Sequence, residues 1–327
     1  MRVLVTGATG FLAGHCIAEL LGAGCAVRGT VRNLRTADVA HLRALPGDLE
    51  FVEADLSSDA GWAEAVAGCD YVWHVASPFP SSVPRDENEV IRPAVDGTLR
   101  VLRAAESSGT VRRVVMTSSG LTVQGADVST EADWADADTA APYPKSKILA
   151  ERAAWEFARN SRVELVVLNP GAIFGPLQRA AGTNSVEMIG RMMRGALPLV
   201  PKIGWTVVDV RDLARLHRLA METPAAAGRR YIAGDQFIWA REMAGVLADR
   251  YRPRGYRIRT GAMPYAMMWL IARVDPSVRL GLSFWGRRHP VSAAKAEKEL
   301  GWVSRPPAES VLDTAESLIE TGLVPRR

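Results

Sequence analysis

Short apolar runs rich in β-branched residues, separated by helical stretches of roughly ten to twenty residues, restrict the fold of this chain more than any other feature. "RVLVT" at positions 2–6 leads at once into a glycine turn and then a helical pattern. In that pattern Gly10, Ala13, Gly14, Ile17, Leu20 and Leu21 share one face, small residues first and large ones later. "AVRGTV", "EFVEA" and "DYVWHVAS" read as the next three strands, and "RRVVMTSS" and "VELVVLNP" as later ones, with the helix "AERAAWEFAR" between these two. Strands joined through helices pair in parallel with right-handed crossovers, so the alternation predicts an α/β doubly wound parallel sheet of the Rossmann kind. After Pro170 the alternation becomes irregular, with frequent proline, methionine and tryptophan. The main domain is therefore expected over 1–170, with 204–235 ("TVVDVRDLARLHRLAM" among it) returning to it, and a smaller C-terminal substrate lobe over 171–203 and 236–327.

Composition narrows the partners. The formal charge of +4 comes from arginines scattered along the chain and not from one basic run, so no nucleic acid is expected. The longest apolar run, "AMPYAMMWLIA", is about half of the ~20 residues that span a bilayer. It is read as a core helix or pocket wall, with no membrane partner. Cys16, Cys25 and Cys69 are unclustered, which points to buried thiols in a reducing, cytoplasmic compartment. A first strand beginning at Arg2 is read as leaving no room for a signal peptide. No metal site is expected, and the chain is expected to be a monomer or homodimer.

In "TGATGFLAG", positions 6–14, Gly7 permits the tight turn and Gly10 lets the backbone approach a pyrophosphate on the helix N-terminus. The turn is assigned to a dinucleotide through Gly7, Thr9, Gly10, Phe11 and Leu12. Ala13 stands where the third glycine usually does. A site for NAD would place Asp or Glu at the end of the second strand, to bond the ribose 2′-hydroxyl. Here the stretch is "RGTVRNLRTAD", with Arg32 and Arg35 and no acid before Asp38. A guanidinium suits a 2′-phosphate, so NADP(H) is the expected cofactor.

"YPKSK" places Tyr143 and Lys147 four apart at the start of a helix, on one face. Ahead of it, "VVMTSS" ends a buried strand in Ser118 and Ser119, where a parallel sheet opens its ligand crevice. Nucleotide turn, strand-end serine and YxxxK follow one another along the chain, and the three together are improbable by chance.

With these motifs in order, the chain resembles the extended short-chain dehydrogenase/reductases. Within them it is similar to the group of dihydroflavonol reductases, cinnamoyl-CoA reductases and yeast methylglyoxal (ketone) reductases. The resemblance runs through "VTGATGFLAGHC", "HVASPFP", "IRPAVDGTLRVLRAA", "YPKSK", "LNPGAIFGP", "DVRDLARLH" and "SAAKAEKELGW". It implies that Ser119 and Tyr143 bind the substrate carbonyl oxygen and that Lys147 holds the nicotinamide ribose. It also implies that Asp55 and Leu56 flank the adenine, that Ala76, Ser77 and Pro78 line the diphosphate and ribose, and that Pro170 and Ile173 lie near the nicotinamide. Asp96 stands where some relatives carry Asn, so a proton relay is not carried over to it.

A donor placed where negative charge builds on the carbonyl oxygen stabilises that charge. The Lys147 ammonium and the oxidised cofactor are expected to lower the Tyr143 pKa from its usual value near 10. The reaction expected is reduction, with NADPH, of a small-molecule aldehyde or ketone carrying apolar or aromatic substituents. The alternative is an NAD-dependent nucleotide-sugar epimerase or dehydratase; Arg32 without an acid favours the reductase. His74 in "VWHVAS" reads as a satisfied core residue, and Asp209, Arg211 and Asp212 as a structural helix start. Trp205, Phe237, Trp239, Met263, Met267, Met268, Trp269, Phe284 and Trp285 are expected to be mostly core, with some walling an apolar pocket.

Overall fold

Val3, Leu4 and Val5 are fully buried, and this is possible for a strand only when both of its faces are covered by helices. The computed structural model describes residues 1–78, 84, 86–181, 184–273, 282 and 284–327; Phe79 and Pro80 of the "HVASPFP" motif lie outside them. The strands are β1 (Arg2–Val5), β2 (Ala26–Val31), β3 (Leu49–Glu53), β4 (Tyr71–His74), β5 (Arg113–Thr117), β6 (Glu164–Pro170), β7 (Ala172–Phe174), β8 (Gly204–Asp209), β9 (Arg230–Ala233) and β10 (Gln236–Trp239). Seven of them form one sheet in the order β3-β2-β1-β4-β5-β6-β9, and each pair in it is parallel. Helices α1 (Phe11–Gly22), α2 (Ala40–Arg43), α3 (Trp62–Val66), α4 (Asn88–Ser108) and α5 (Pro142–Ala158) fill the crossovers. This is the doubly wound, Rossmann-like sheet that the alternation predicts.

The chain divides into two units. The first comprises Met1–Pro170, Arg211–Ala233 and Ser292–Val303, and the second Gly171–Val210, Gly234–Val291 and Ser304–Arg327. The returning segment is therefore narrower than the expected 204–235. Strand β8 does not join the main sheet; it pairs with β7 in parallel and with β10 antiparallel in a separate three-stranded sheet. The return begins with the helix that follows it and ends in β9, and a later stretch, Ser292–Val303, also belongs to the first unit. A strand's apolar pattern reports that it is buried but not which neighbour supplies its hydrogen bonds.

The aromatic and methionine set of the second unit also differs from expectation. Of those nine residues only Met268 is buried, while Met267, Trp269 and Phe284 are exposed and the rest lie between. The run "AMPYAMMWLIA" forms a helix of seven residues, Tyr265–Ile271, with Met268 alone turned to the interior. Its apolar content is not arranged as a core face. Among the described residues no helix is long and apolar enough to cross a membrane, and no group of His, Cys, Asp or Glu could hold a metal ion. All three cysteines are free and buried, and burial raises each thiol pKa.

Arg113 anchors the amino end of β5. Its guanidinium donates to the carbonyls of Ala220, Met221 and Thr223 at 2.8, 2.9 and 2.7 Å, and to Glu164 Oε2 at 2.7 Å. These carbonyls lie at the end of the helix Val210–Glu222 and just beyond it, where no intrahelical partner exists. Arg113→Met, which keeps bulk but removes five donors, should destabilise the fold by about 3 kcal/mol, since buried acceptors lose their partners. Urea unfolding of both proteins measures it, and a difference under about 1 kcal/mol would contradict this anchoring role.

Candidate active site

Because every strand of the main sheet runs the same way, the carboxyl ends of β1, β4, β5 and β6 lie along one edge. The residues at or just past those ends are the glycine turn, His74 to Pro78, Ser118 and Ser119, and Pro170. This is the edge at which open parallel sheets bind ligands.

Past β1 the chain turns at Gly7, whose φ of 70° lies in the left-handed region. A Cβ there would stand 2.9 Å from Ala76 Cβ, so only glycine permits both the turn and the approach of the β4 loop. The Gly7 N–H donates to Thr30 Oγ1 at 2.9 Å and the Gly10 N–H to Gly7 O at 2.8 Å. Gly10 caps α1 without a side-chain bond, and the first turn of α1 holds no acid. An anionic diphosphate fits such a helix start, which has no capping side chain and no repelling charge. Thr9 and Phe11 are half-buried beside it and Leu12 is buried.

Thr6 welds this turn to the β4 loop. Its hydroxyl oxygen accepts the N–H groups of Val75 and Ala76, at 3.0 and 2.9 Å, and its proton goes to His74 Nδ1 at 3.1 Å. With Nδ1 accepting, the His74 proton sits on Nε2, 3.4 Å from Thr98 Oγ1. Burial pushes the His74 pKa down to about 3, and the Lys147 charge acts in the same direction, so this ring is neutral. His74 is a satisfied core residue whose bonds shape the loop carrying Ala76 and Ser77.

At the end of β2, Arg32 and Arg35 are exposed, and Asn33 Oδ1 accepts the N–H of Arg35 at 2.8 Å, which fixes the local turn. Asp55 lies near enough to feel the Arg32 charge. Its carboxyl pKa is lowered first by hydrogen bonds from Ser57 N and Oγ, at 2.8 and 2.7 Å, and then by Arg32 and Arg100. Leu56 packs beside it, its carbonyl accepting from Arg100 at 2.6 Å. Pro170 ends β6 in the first unit, whereas Ile173 belongs to β7 of the second. Asp96 is exposed on α4. Asp209 ends β8 and Asp212 lies in the first turn of the helix beginning at Val210.

Ser119 follows β5 and begins a single 3-10 turn, Gly120–Thr122. Its Oγ accepts the Leu121 N–H at 3.2 Å, which leaves the hydroxyl proton to donate. Tyr143 and Lys147 lie on the first turns of α5, which starts at Pro142, a favoured residue for a helix start. Lys147 Nζ donates to Ser77 Oγ at 2.8 Å and so joins α5 to the β4 loop.

Burial acts on the two α5 groups in opposite directions. It pushes the Tyr143 phenol up to about 12 and the Lys147 ammonium down to about 8, the latter opposed by the Glu151 carboxylate. The expected lowering of the Tyr143 pKa is therefore reversed in the protein alone, where desolvation by burial is the cause that acts on the phenol.

Sequence reasoning passed over a buried polar cluster beneath Ser119. Glu151, fully buried on α5, gathers Ser118, Thr122, Asn169 and Arg230 around its carboxylate. The one signal in the sequence is a glutamate four residues after Lys147, on the same helical face.

Comparisons with known proteins agree with this architecture. The model of the NAD dependent epimerase/dehydratase family matches residues 3–234. Cinnamoyl-CoA reductase 1 of Petunia hybrida is 35% identical over 336 residues, covering 99% of this chain and 93% of the relative. Dihydroflavonol 4-reductase of Zea mays is 35% identical over 265 residues, 76% of this chain and 74% of that one. The yeast methylglyoxal/isovaleraldehyde reductase complexed with NADPH superimposes with a TM-score of 0.80 at 25% identity, covering 98% of this chain and 99% of the other. The chain belongs to the NAD dependent epimerase/dehydratase family, the extended short-chain dehydrogenase/reductases.

Proposed function

We propose that this protein is an NADPH-dependent carbonyl reductase, with Ser119, Tyr143 and Lys147 as its catalytic residues. The observation that carries the reading is the Lys147–Ser77 bond at 2.8 Å, which brings the YxxxK helix onto the loop packed against the Gly7 turn. Relatives named as reductases, and a similar structure that holds NADPH, support the same reading. A nucleotide-sugar epimerase or dehydratase, which the family description also covers, is less supported, because no acid stands at the end of β2.

Gly7, Thr9, Gly10, Phe11 and Leu12 would hold the cofactor diphosphate, Arg32 and Arg35 a 2′-phosphate, and Asp55 and Leu56 the adenine. Ala76, Ser77, Pro78, Pro170 and Ile173 would line the remainder, together with Tyr143 and Lys147. When bound, NADPH supplies a hydride to the carbonyl carbon. The Tyr143 phenol, kept protonated by burial, donates to the carbonyl oxygen, and its proton passes to that oxygen as negative charge builds there. The Ser119 hydroxyl donates a second bond that orients the oxygen. Lys147, one turn from Tyr143, stabilises the phenolate that remains. The aromatic and methionine content of the chain after Trp205 is what supports substrates with aryl or branched alkyl groups.

Tyr143→Phe removes the proton donor while keeping the ring and every other residue that would line the cofactor. It should lower kcat by ~10² to 10⁴-fold while NADPH affinity holds, read by NADPH absorbance with a panel of aldehydes and ketones and by fluorescence titration. More than half of wild-type kcat, with chemistry limiting, would remove Tyr143 from the reaction.

Cofactor preference tests Arg32. Charge-assisted bonds to a 2′-phosphate are worth roughly 1.5 to 3 kcal/mol, so kcat/KM with NADPH should exceed that with NADH by about ten-fold or more. Arg32→Ala should lose most of this by raising KM for NADPH, with little change for NADH. Steady-state kinetics with both cofactors on both proteins decides it, and equal efficiency with NADH in the wild type would assign the site to NAD.

A further inference from the structure

We propose that Glu151 is a positioning residue for this reaction: its buried carboxylate locks the turn that carries Ser119, one helical turn beyond Lys147 on the same face of α5. The proposal rests on the reductase reading of Ser119, Tyr143 and Lys147.

Glu151 has no exposed surface, and a buried carboxylate has to be saturated with donors. Its Oε2 accepts from Ser118 Oγ at 2.5 Å, Thr122 Oγ1 at 2.8 Å and Asn169 Nδ2 at 2.9 Å. Its Oε1 faces the Arg230 guanidinium at 2.6 Å and the Trp155 indole at 3.4 Å. The hydrogen-bond donors thus come from the end of β5, the 3-10 turn, the end of β6 and α5 itself, and Arg230 of β9 adds an ion pair.

Ser118 and Thr122 stand on either side of Ser119. Both hydroxyls reach the same carboxylate oxygen, so the backbone before and after Ser119 is tied to one buried point. The Ser119 carbonyl adds to this, accepting the Thr122 N–H at 3.1 Å and Asn169 Nδ2 at 3.4 Å. Thr122 has a single hydroxyl proton, and a carboxylate is a stronger acceptor than the Ser119 carbonyl, which lies at a similar 2.8 Å. At equal distances the carboxylate charge directs this proton to Glu151.

Charge is the second part of the argument. Lys147 and Glu151 are four apart on α5, with Glu151 one turn deeper. The ionisable groups around them are Tyr143 on α5, neutral His74 at the end of β4, and Arg230 on β9. Arg230 in turn donates to the carbonyls of Glu131 and Asp133 at 3.1 Å each, and its own carbonyl accepts from Lys295 at 2.9 Å. The carboxyl charges of Glu131 and Asp133 act on Arg230 as well. Burial disfavours the Lys147 ammonium and Glu151 favours it. Neutralising this carboxylate in a folded protein shifts the Lys147 titration through the lost charge, whereas the effect on kcat at an unchanged NADPH affinity reports the placement of Ser119.

The test is Glu151→Gln in the full chain, with the Lys147 titration followed by NMR of protein labelled with carbon-13 at the lysine ε position and assigned through Lys147→Arg. Removing the negative charge should lower the Lys147 midpoint by about half a pH unit or more, because the ammonium loses its stabilising neighbour. The alkaline limb of kcat should move the same way, and kcat should fall about ten-fold or more while NADPH Kd changes less than about three-fold, the pattern of a misplaced Ser119. An unmoved Lys147 midpoint in folded Glu151→Gln overturns the proposal. Thr122→Val is the second variant, since it cuts the turn from the carboxylate and keeps the charge. It should lower kcat with the Lys147 midpoint unchanged, and wild-type kcat in Thr122→Val would overturn the locking of the turn. The titration needs no turnover, so a wild type that oxidises NADPH with no carbonyl compound would refute the reductase reading while the Lys147 midpoint still decides for or against Glu151.

Discussion

Parallel pairing of β1, β4, β5 and β6 is the constraint from which the rest of the first unit follows. In a parallel ladder every strand ends on the same side, so four separate stretches of sequence deliver their polar termini to one edge without any of them being near another in the chain. The pairs Val5 with Trp73, His74 with Met116 and Thr117 with Leu168 set this edge. Helices covering both faces keep water from the strands, and the edge is where backbone groups and side chains meet solvent.

Polar groups at that edge are held by bonds that cross between neighbouring strand ends. Thr6 spends its hydroxyl oxygen on two backbone N–H groups and its proton on a histidine, and this joins the exit of β1 to the exit of β4. Glu151 does the same for the exits of β5 and β6 from α5, and it also pairs with Arg230 at the start of β9. His217 repeats the pattern inside the unit: its Nδ1–H donates to Leu213 O at 2.8 Å, Thr117 Oγ1 lies 2.7 Å from its Nε2, and burial pushes its pKa down to about 4. Burial thus keeps histidines neutral, a phenol protonated and an ammonium close to the pH at which it can lose its proton. The same desolvation acts on each group in the direction that removes charge.

Much of this is written in local patterns. The glycine turn, the strand-end serines and the YxxxK pair are short and chemically explicit, and the family match covers the stretch that contains them all. Less legible was anything that depends on partners distant in the chain. The strand 204–209 is buried over Val207–Asp209, yet it pairs outside the main sheet. In the run Ala262–Ala272 only Met268 of the methionine and tryptophan side chains is buried, whereas Met192, Met193 and Met243 do lie in the core, because apolar content in a seven-residue helix does not define a buried face. The direction of the Tyr143 pKa also escaped, since counting nearby charges omits the cost of taking a phenolate out of water.

By itself the sequence determined the sheet's class, the glycine at the tight turn, the hydroxyl at the end of β5 and the spacing that puts Tyr143 and Lys147 on one helical face. Each of these follows from backbone periodicity and side-chain chemistry within a few residues. Only the tertiary structure decided that Glu151 sits with Ser118, Thr122, Asn169 and Arg230, that Lys147 meets Ser77, and that β8 turns away to a second sheet. The physical reason is that a buried charge or hydroxyl is satisfied by whichever donors packing brings within about 3 Å, and packing depends on the whole chain at once.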